Sequence, residues 1–257
     1  MPETSINFDR AAAVYDSTRG LPAAAQRELI DVLAAELGNR GSCLEVGVGT
    51  GRLAVPLHHR GIDMYGVDIS VGMLTELLRK GQDGPLPFVT IADATALPFD
   101  DGRFGSALAS HVFHLVSDWE RAARELHRVV RPGGVICVNL GGLELPRMRA
   151  LRRRLRIESG QGSRPGLTDP EAFERLMRSL GVTQRFLAPV TRGERSTLRE
   201  QLEWMENNGS AITWDLDEAT RIAAVQSLRT WAEREIGDLD STYVDDEPIV
   251  VRAYTLS

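Results

Sequence analysis

Four side chains able to do chemistry follow one another along the chain in step with short apolar runs: Glu45, Asp68, Asp93 and His111. Glu45 sits inside the run Leu44, Val46, Val48, which opens into Gly47, Gly49 and Gly51 before helical spacing begins at Leu53, Ala54 and Leu57. A strand, a glycine turn and a helix start bring backbone N–H groups close to a ligand. Pyrophosphate sites use the spacing G-x-G-x-x-G. Here the spacing is G-x-G-x-G with an acid two residues ahead of it, which disfavours a pyrophosphate and suits an ammonium group. Asp68 lies about twenty residues beyond the first glycine, where a carboxylate takes both hydroxyls of a ribose. Asp93-Ala94 is placed to accept from the exocyclic amine of an adenine, with Ile69 and Met73 on either side of the ring. A ribose, an adenine and an α-amino acid together make S-adenosylmethionine.

The competing readings are structural. Glu45 could form an internal salt bridge, Asp68 could cap the helix after Ser70, and Asp93 could simply hold a turn. His111 and His114 follow the fourth apolar run, and one of them, His111 first, is a candidate general base near neutral pH. The alternative is that His114 packs in the core while the backbone near His111 lines the pocket. No third ligand type stands nearby, so no metal is expected. Tyr15 and Arg19 share a face of an N-terminal helix with Phe8 and are candidates to close over the cofactor, Tyr15 as a second base and Arg19 near the cofactor carboxylate; the rival reading is a solvated, half-ordered N-terminus. The cluster Arg147 to Arg156 reads as a solvated face. Arg192 and Arg195 pair either with an acidic substrate or with Glu194 or Glu200, and Trp204 and Trp214 line an apolar pocket or a core.

These residues need a frame, and the patterning supplies one. Strands are read over 43–47, 62–67, 87–91, 104–110 and 135–140, with helices over 51–60, 71–80 and 117–130, the last opened by a Ser117-x-x-Glu120 capping box. The fifth run is apolar on both faces, like a central parallel strand. Such alternation means a doubly wound parallel α/β sheet with ligands at the carboxyl ends of its strands. Beyond residue 141 come an Arg-rich helix, a helix after Asp169-Pro170, a strand over 182–190, helices over 196–207 and 217–236, and a last strand over 249–256.

At this level of detail the chain resembles the class I S-adenosylmethionine-dependent methyltransferases. The resemblance rests on Leu44-Glu-Val-Gly-Val-Gly-Thr-Gly51, Val67-Asp-Ile-Ser70, Ala92-Asp-Ala94 with Leu97-Pro-Phe99, and Arg131-Pro-Gly-Gly134. It implies a Rossmann-like seven-stranded sheet in the order 3-2-1-4-5-7-6 with strand 7 antiparallel. In that order strands 1 and 5 are not neighbours, so a Cys43–Cys137 disulfide is not expected. The implied division is an N-terminal cap (1–40), a cofactor-binding core (41–191 and 248–257) and a helical lid (192–247) inserted between the last two strands. The implied reaction is in-line methyl transfer to a small-molecule acceptor. The alternatives are a nicotinamide-dependent Rossmann oxidoreductase and a non-catalytic S-adenosylmethionine-binding module.

Composition narrows the setting. The 257 residues are 42% hydrophobic and carry a net charge of −6, which argues against a nucleic-acid footprint. No apolar run approaches a membrane span, and Cys43 and Cys137 read as buried thiols of a reducing, cytoplasmic compartment. A monomer or homodimer is expected. Lys80 is the single lysine among 30 basic residues, a bias that reads as compositional. S-adenosylhomocysteine at ~100 times its Kd is expected to raise the unfolding free energy by ~2.7 kcal/mol, and NAD to leave it unchanged, in a thermal-shift titration.

Overall fold

The computed structural model describes residues 8–9, 12–140, 146–161, 165–191, 193–207, 209–210, 212–214, 216–245 and 248–257. The side chains of residues 14, 17–19, 82–83, 146–149, 194 and 245 lie outside that description. Two helices open the chain, α1 (Ala12–Arg19) and α2 (Ala23–Leu37). Strands and helices then alternate through β1 (Cys43–Val46), α3 (Ala54–His59), β2 (Met64–Asp68), α4 (Val71–Arg79) and β3 (Phe88–Ile91). They continue through β4 (Phe104–Ser110), α5 (Trp119–Val129) and β5 (Val130–Asn139). Next come α6 (Pro146–Glu158), α7 (Pro170–Ser179) and β6 (Thr183–Phe186). An excursion through β7 (Val190–Thr191), β8 (Glu194–Thr197), α8 (Leu198–Glu206), α9 (Glu218–Glu235), β9 (Thr242–Asp245) and β10 (Pro248–Ile249) precedes the closing β11 (Arg252–Thr255).

The main sheet has seven strands in the order β3-β2-β1-β4-β5-β11-β6. Its first five are parallel, and β11 runs antiparallel to both of its neighbours. This is the expected 3-2-1-4-5-7-6 arrangement. Helices cover both faces, so all four residues of β1 are buried. Alternation sends Leu44 and Val46 into a core with α5 and α7, and Cys43 into a second core with α2, α3 and α4. Cys43 and Cys137 are both free and buried, with β4 between their strands. Burial pushes the Cys43 thiol up to about 12.

Side-chain caps fix most helix starts. Ser70 Oγ accepts from Met73 N (3.1 Å) at the head of α4, and Asp169 accepts from Glu171 N (3.0 Å) ahead of Pro170 in α7. The expected Ser117–Glu120 box is not the cap of α5: Asp118 takes that role, accepting from Arg121 N (3.1 Å), and the helix starts at Trp119. The box occurs instead at Thr197–Glu200, ahead of α8. The segment Arg131 to Gly134, which lies ahead of the strand expected over 135–140, belongs to β5, because Val130 already pairs with Phe104. A register shift at Gly105 absorbs the mismatch. A side chain there would meet the Arg40 carbonyl oxygen at 1.5 Å, so only glycine fits.

The excursion before β11 contains more than helices. Two antiparallel ribbons, β7–β10 and β8–β9, form its stem. Its core is shared with α6: Leu151 and Leu155 pack with Leu198, Leu202, Met205, Val225 and Leu228. The arginine-rich helix therefore packs against the excursion, and Arg154 pairs with Glu158 and lies over the Trp231 ring at 6.0 Å. Among the described residues no helix is long and apolar enough to cross a membrane.

Phe173 of α7 is fully buried, with ring centroids 4.6 Å from Phe113 and 5.9 Å from Tyr254. It thereby supports the connection that follows β4. Phe173→Ala is expected to cost about 3–5 kcal/mol, read from the midpoint of urea unfolding.

Candidate functional site

The carboxyl ends of β1, β2, β3 and β4 surround one open-mouthed cleft, at the place where open α/β sheets bind their ligands. Its floor is the loop after β1. Gly47 N and Val48 N donate to Val67 O at 2.8 and 3.0 Å, tying that loop to the end of β2. The three loop glycines all have positive φ, at 69°, 54° and 77° for Gly47, Gly49 and Gly51. Their surroundings differ. At Gly49 an added Cβ would meet nothing within 4 Å, so this residue faces open space. At Gly47 it would strike Val112 at 2.4 Å, and at Gly51 it would strike Val55 and Leu77 at 2.8 and 2.9 Å. Gly47 and Gly49 line the cleft, whereas Gly51 lets α3 pack on α4.

Asp68 also lines the cleft, with both carboxylate oxygens already engaged by backbone. Gly49 N donates to Oδ2 at 2.8 Å and Ser70 N to Oδ1 at 2.9 Å. Burial pushes its carboxyl upward, while the N–H donors from Ser70 and Gly49 pull it down. The helix cap is Ser70, which leaves the outward lone pairs of Asp68 for a ligand. Ile69, Met73, Ala92, Asp93 and Ala94 complete this side. Asp93 does hold a turn, since its Oδ1 accepts from Thr95 N (2.8 Å) and Thr95 Oγ1 (2.9 Å), yet it remains at the wall and exposed.

Glu45 lies behind the wall. It is 3% exposed, on the strand face that carries α3, and Ala54 N at the head of that helix hydrogen-bonds its carboxylate. Its Oε2 is buried and has no hydrogen-bond partner among the described residues. Burial is the main cause that raises its carboxyl to about 8, with the Ala54 N–H pulling it down, Asp68 pushing it up and Arg52 pulling it down. An orphaned buried acid beneath an open glycine loop is a place that a bound cation would complete.

The opposite wall comes from the β4–α5 connection. His111 is the non-glycine residue with positive φ (58°) among the described residues, a backbone conformation that costs on the order of 1 kcal/mol or more. Its N–H donates to Asn139 O at 2.9 Å, turning the chain out of β4, and the residue lines the cleft with Val112, Leu115 and Val116. The His114 ring stands edge-on to that of His111 at 6.3 Å but is not part of the cleft wall. Among the described residues no group of three or more His, Cys, Asp or Glu could hold a metal ion.

The N-terminal segment forms the roof. Phe8 and Tyr15 both line the cleft, and Trp214, from the connection between α8 and α9, packs edge-on against them at 5.0 and 6.3 Å. Trp204 instead packs on the core shared by α6, α8 and α9. The Arg19 side chain and Arg192 lie outside the described residues, and Arg195 is exposed on β8. The apolar wall from Val112 to Val116 and the roof residue Phe8 carried no site assignment in the sequence, although Phe8 shared the helical phase of Tyr15. No sequence signal marked Trp214 as their partner rather than Trp204.

Comparison with known proteins agrees with this geometry. Residues 44–138 match the family described as "Methyltransferase domain". The chain is similar to malonyl-[acyl-carrier protein] O-methyltransferase of Pseudescherichia vulneris, at 31% identity over 80% of this chain and 90% of that one. It is similar to demethylmenaquinone methyltransferase of Renibacterium salmoninarum at 34% identity, over 53% of this chain and 57% of that one. Among solved structures it resembles an S-adenosylmethionine-dependent methyltransferase of Thermotoga maritima, with a TM-score of 0.56, 21% identity, and coverage of 97% and 98%.

The buried acid has a measurable consequence. Glu45 stays protonated in the folded protein to about pH 8, whereas an unfolded carboxyl ionises near 4.5. Stability from the neutral form is therefore full below the unfolded value and is lost as pH rises through the folded one. Ligand-free Glu45→Gln is expected to melt close to wild type near pH 5 and several degrees (~4 °C or more) above it near pH 9, in a calorimetric pH series.

Proposed function

The chain belongs to the class I S-adenosylmethionine-dependent methyltransferases, and from that premise we propose that this cleft holds the cofactor and transfers its methyl group to a small, uncharged acceptor. The observation that carries the assignment of residues is that Asp68 and Asp93, at successive strand ends, line one cleft with Gly47 and Gly49, while Glu45 is buried with one carboxylate oxygen unpartnered. Their chemistry fits the cofactor from end to end. Asp68 would take the ribose hydroxyls, Asp93 and Ala94 the adenine amine, and Ile69 and Met73 the faces of the ring. Gly47 and Gly49 would receive the amino-acid end, with the Glu45 carboxyl behind them, ionised by the ammonium group it would meet. Gly51 supports this indirectly, through the packing of α3. Arg19 is our assignment for the cofactor carboxylate.

When bound, S-adenosylmethionine supplies a methyl group already activated on a sulfonium. The protein's part is to align the acceptor in line with that methyl and to exclude water. Phe8, Tyr15, Leu115 and Val116 form the apolar surroundings that do both. Burying an ionised acceptor against such walls would be costly, which favours a neutral hydroxyl or similar nucleophile. His111, held inward by its backbone turn, would remove the acceptor's proton, and Tyr15 is the second group placed to do so. The two unpaired buried cysteines support a reducing, cytoplasmic setting.

Asp68→Ala is expected to weaken S-adenosylhomocysteine binding about 10–100-fold by isothermal calorimetry. His111→Gln is expected to leave that binding intact and to slow S-adenosylhomocysteine release from a panel of hydroxyl acceptors about 100-fold. Unchanged turnover in the His111 variant would remove the base from the mechanism. Binding without turnover by the wild type across the panel would favour a non-catalytic binding protein.

A further inference from the structure

The only lysine in the chain is tied to the glycine loop. Lys80, just past the end of α4, donates to the carbonyl oxygen of Thr50 at 2.6 Å and pairs with Asp16 Oδ2 of α1 at 2.7 Å. Thr50 lies between Gly49 and Gly51 and is 1% exposed, and its hydroxyl donates to the other Asp16 oxygen at 2.5 Å. Three segments far apart in sequence thus meet in one closed set of three bonds. A second fastening lies at the opposite end of α4. Asp9 Oδ1 accepts from Ser70 Oγ at 2.6 Å and from Gly72 N at 2.8 Å, and Ser70 N is bonded to Asp68. Between the two fastenings α1 lies flush on α4 because position 72 has no side chain. A Cβ there would come within 3.1–3.2 Å of Asp9 O, Asp9 Cα and Ala12 Cβ.

From this geometry we infer that Lys80 is a positioning residue, clasping α1 to the glycine loop so that Phe8 and Tyr15 stay over the cofactor cleft. The inference rests on the cofactor assignment above. An exposed ion pair alone contributes little. Here the same ammonium also satisfies a loop carbonyl, and the same carboxylate also holds a loop hydroxyl, so each bond orders groups that the others use. The clasp has a direct consequence for exchange: a ligand on the loop leaves only when the roof lifts. Its strength and its salt sensitivity should both appear in the ligand's escape rate.

The test measures dissociation of S-adenosylhomocysteine by stopped-flow displacement. Lys80→Met is expected to speed dissociation about fivefold and to abolish the acceleration that high salt produces in wild type, with Lys80→Arg closer to wild type. Gly72→Val, which removes no charge, should speed dissociation in the same direction. Unchanged dissociation rates in both Lys80→Met and Gly72→Val would overturn the inference. If the wild type does not bind S-adenosylhomocysteine, the cofactor assignment is what fails, and trypsin nicking after Arg10 or Arg19 of ligand-free protein then decides the clasp. Faster nicking in Lys80→Met than in wild type supports it, and equal rates overturn it.

Discussion

Parallel pairing of β1 with both β2 and β4 is the constraint on which the rest of this molecule turns. From β1 the chain proceeds outward through β2 to β3, and it returns across the sheet to add β4 and β5 on the other side. Loops leaving β1 and β4 diverge, and a crevice opens between them at the carboxyl edge. Every polar group of the cleft wall stands at that edge because parallel strands all end on the same side. The loop after β1 must also leave room for a ligand and still reach α3. Positive φ at Gly47 and Gly49 meets that demand, and the hydrogen bond from Gly49 N to Asp68 joins the loop to the next strand end.

Within this frame Glu45 is the energetic exception. A buried acid with one unpaired oxygen opposes folding at neutral pH, and the N–H at the head of α3 offsets only part of that cost. A fold that keeps such a group loses ligand-free stability as the carboxyl ionises. His111 is a smaller instance of the same kind of cost. Its left-handed backbone is held by a bond to Asn139 O and by the aromatic packing behind Phe113, and the residue lines the cleft.

The roof shows how remote segments become part of one site. Phe8 and Tyr15 come from the N-terminal segment, and Trp214 comes from the excursion before β11. The excursion in turn stands on α6 through Leu151 and Leu155. Three separate pieces of chain therefore bear on the roof of the cleft. The opposite side of the cleft is built from consecutive strand ends instead.

Local chemistry made the alternation of strands and helices legible, because each strand carries its own apolar pattern with Glu45, Asp68 and Asp93 in step with it, and the order of the strands came from the resemblance to the family. Helix starts were less legible: Ser117 and Asp118 are both good caps, and only packing of Ala122, Ala123, Leu126 and Val129 against the sheet chose Asp118. The beginning of β5 was misread because Arg131-Pro-Gly-Gly134 has turn residues, while pairing of Val130 with Phe104 outweighs them. By itself, then, the sequence determined the fold class, the glycine loop and the acids around it, all of which depend on neighbours within a few residues. Only the tertiary structure decided that Gly51 serves packing, that Trp214 rather than Trp204 meets the roof, and that Lys80 joins α1 to the loop. Those contacts link residues dozens of positions apart, and no local periodicity records which of several equivalent side chains the fold will bring together.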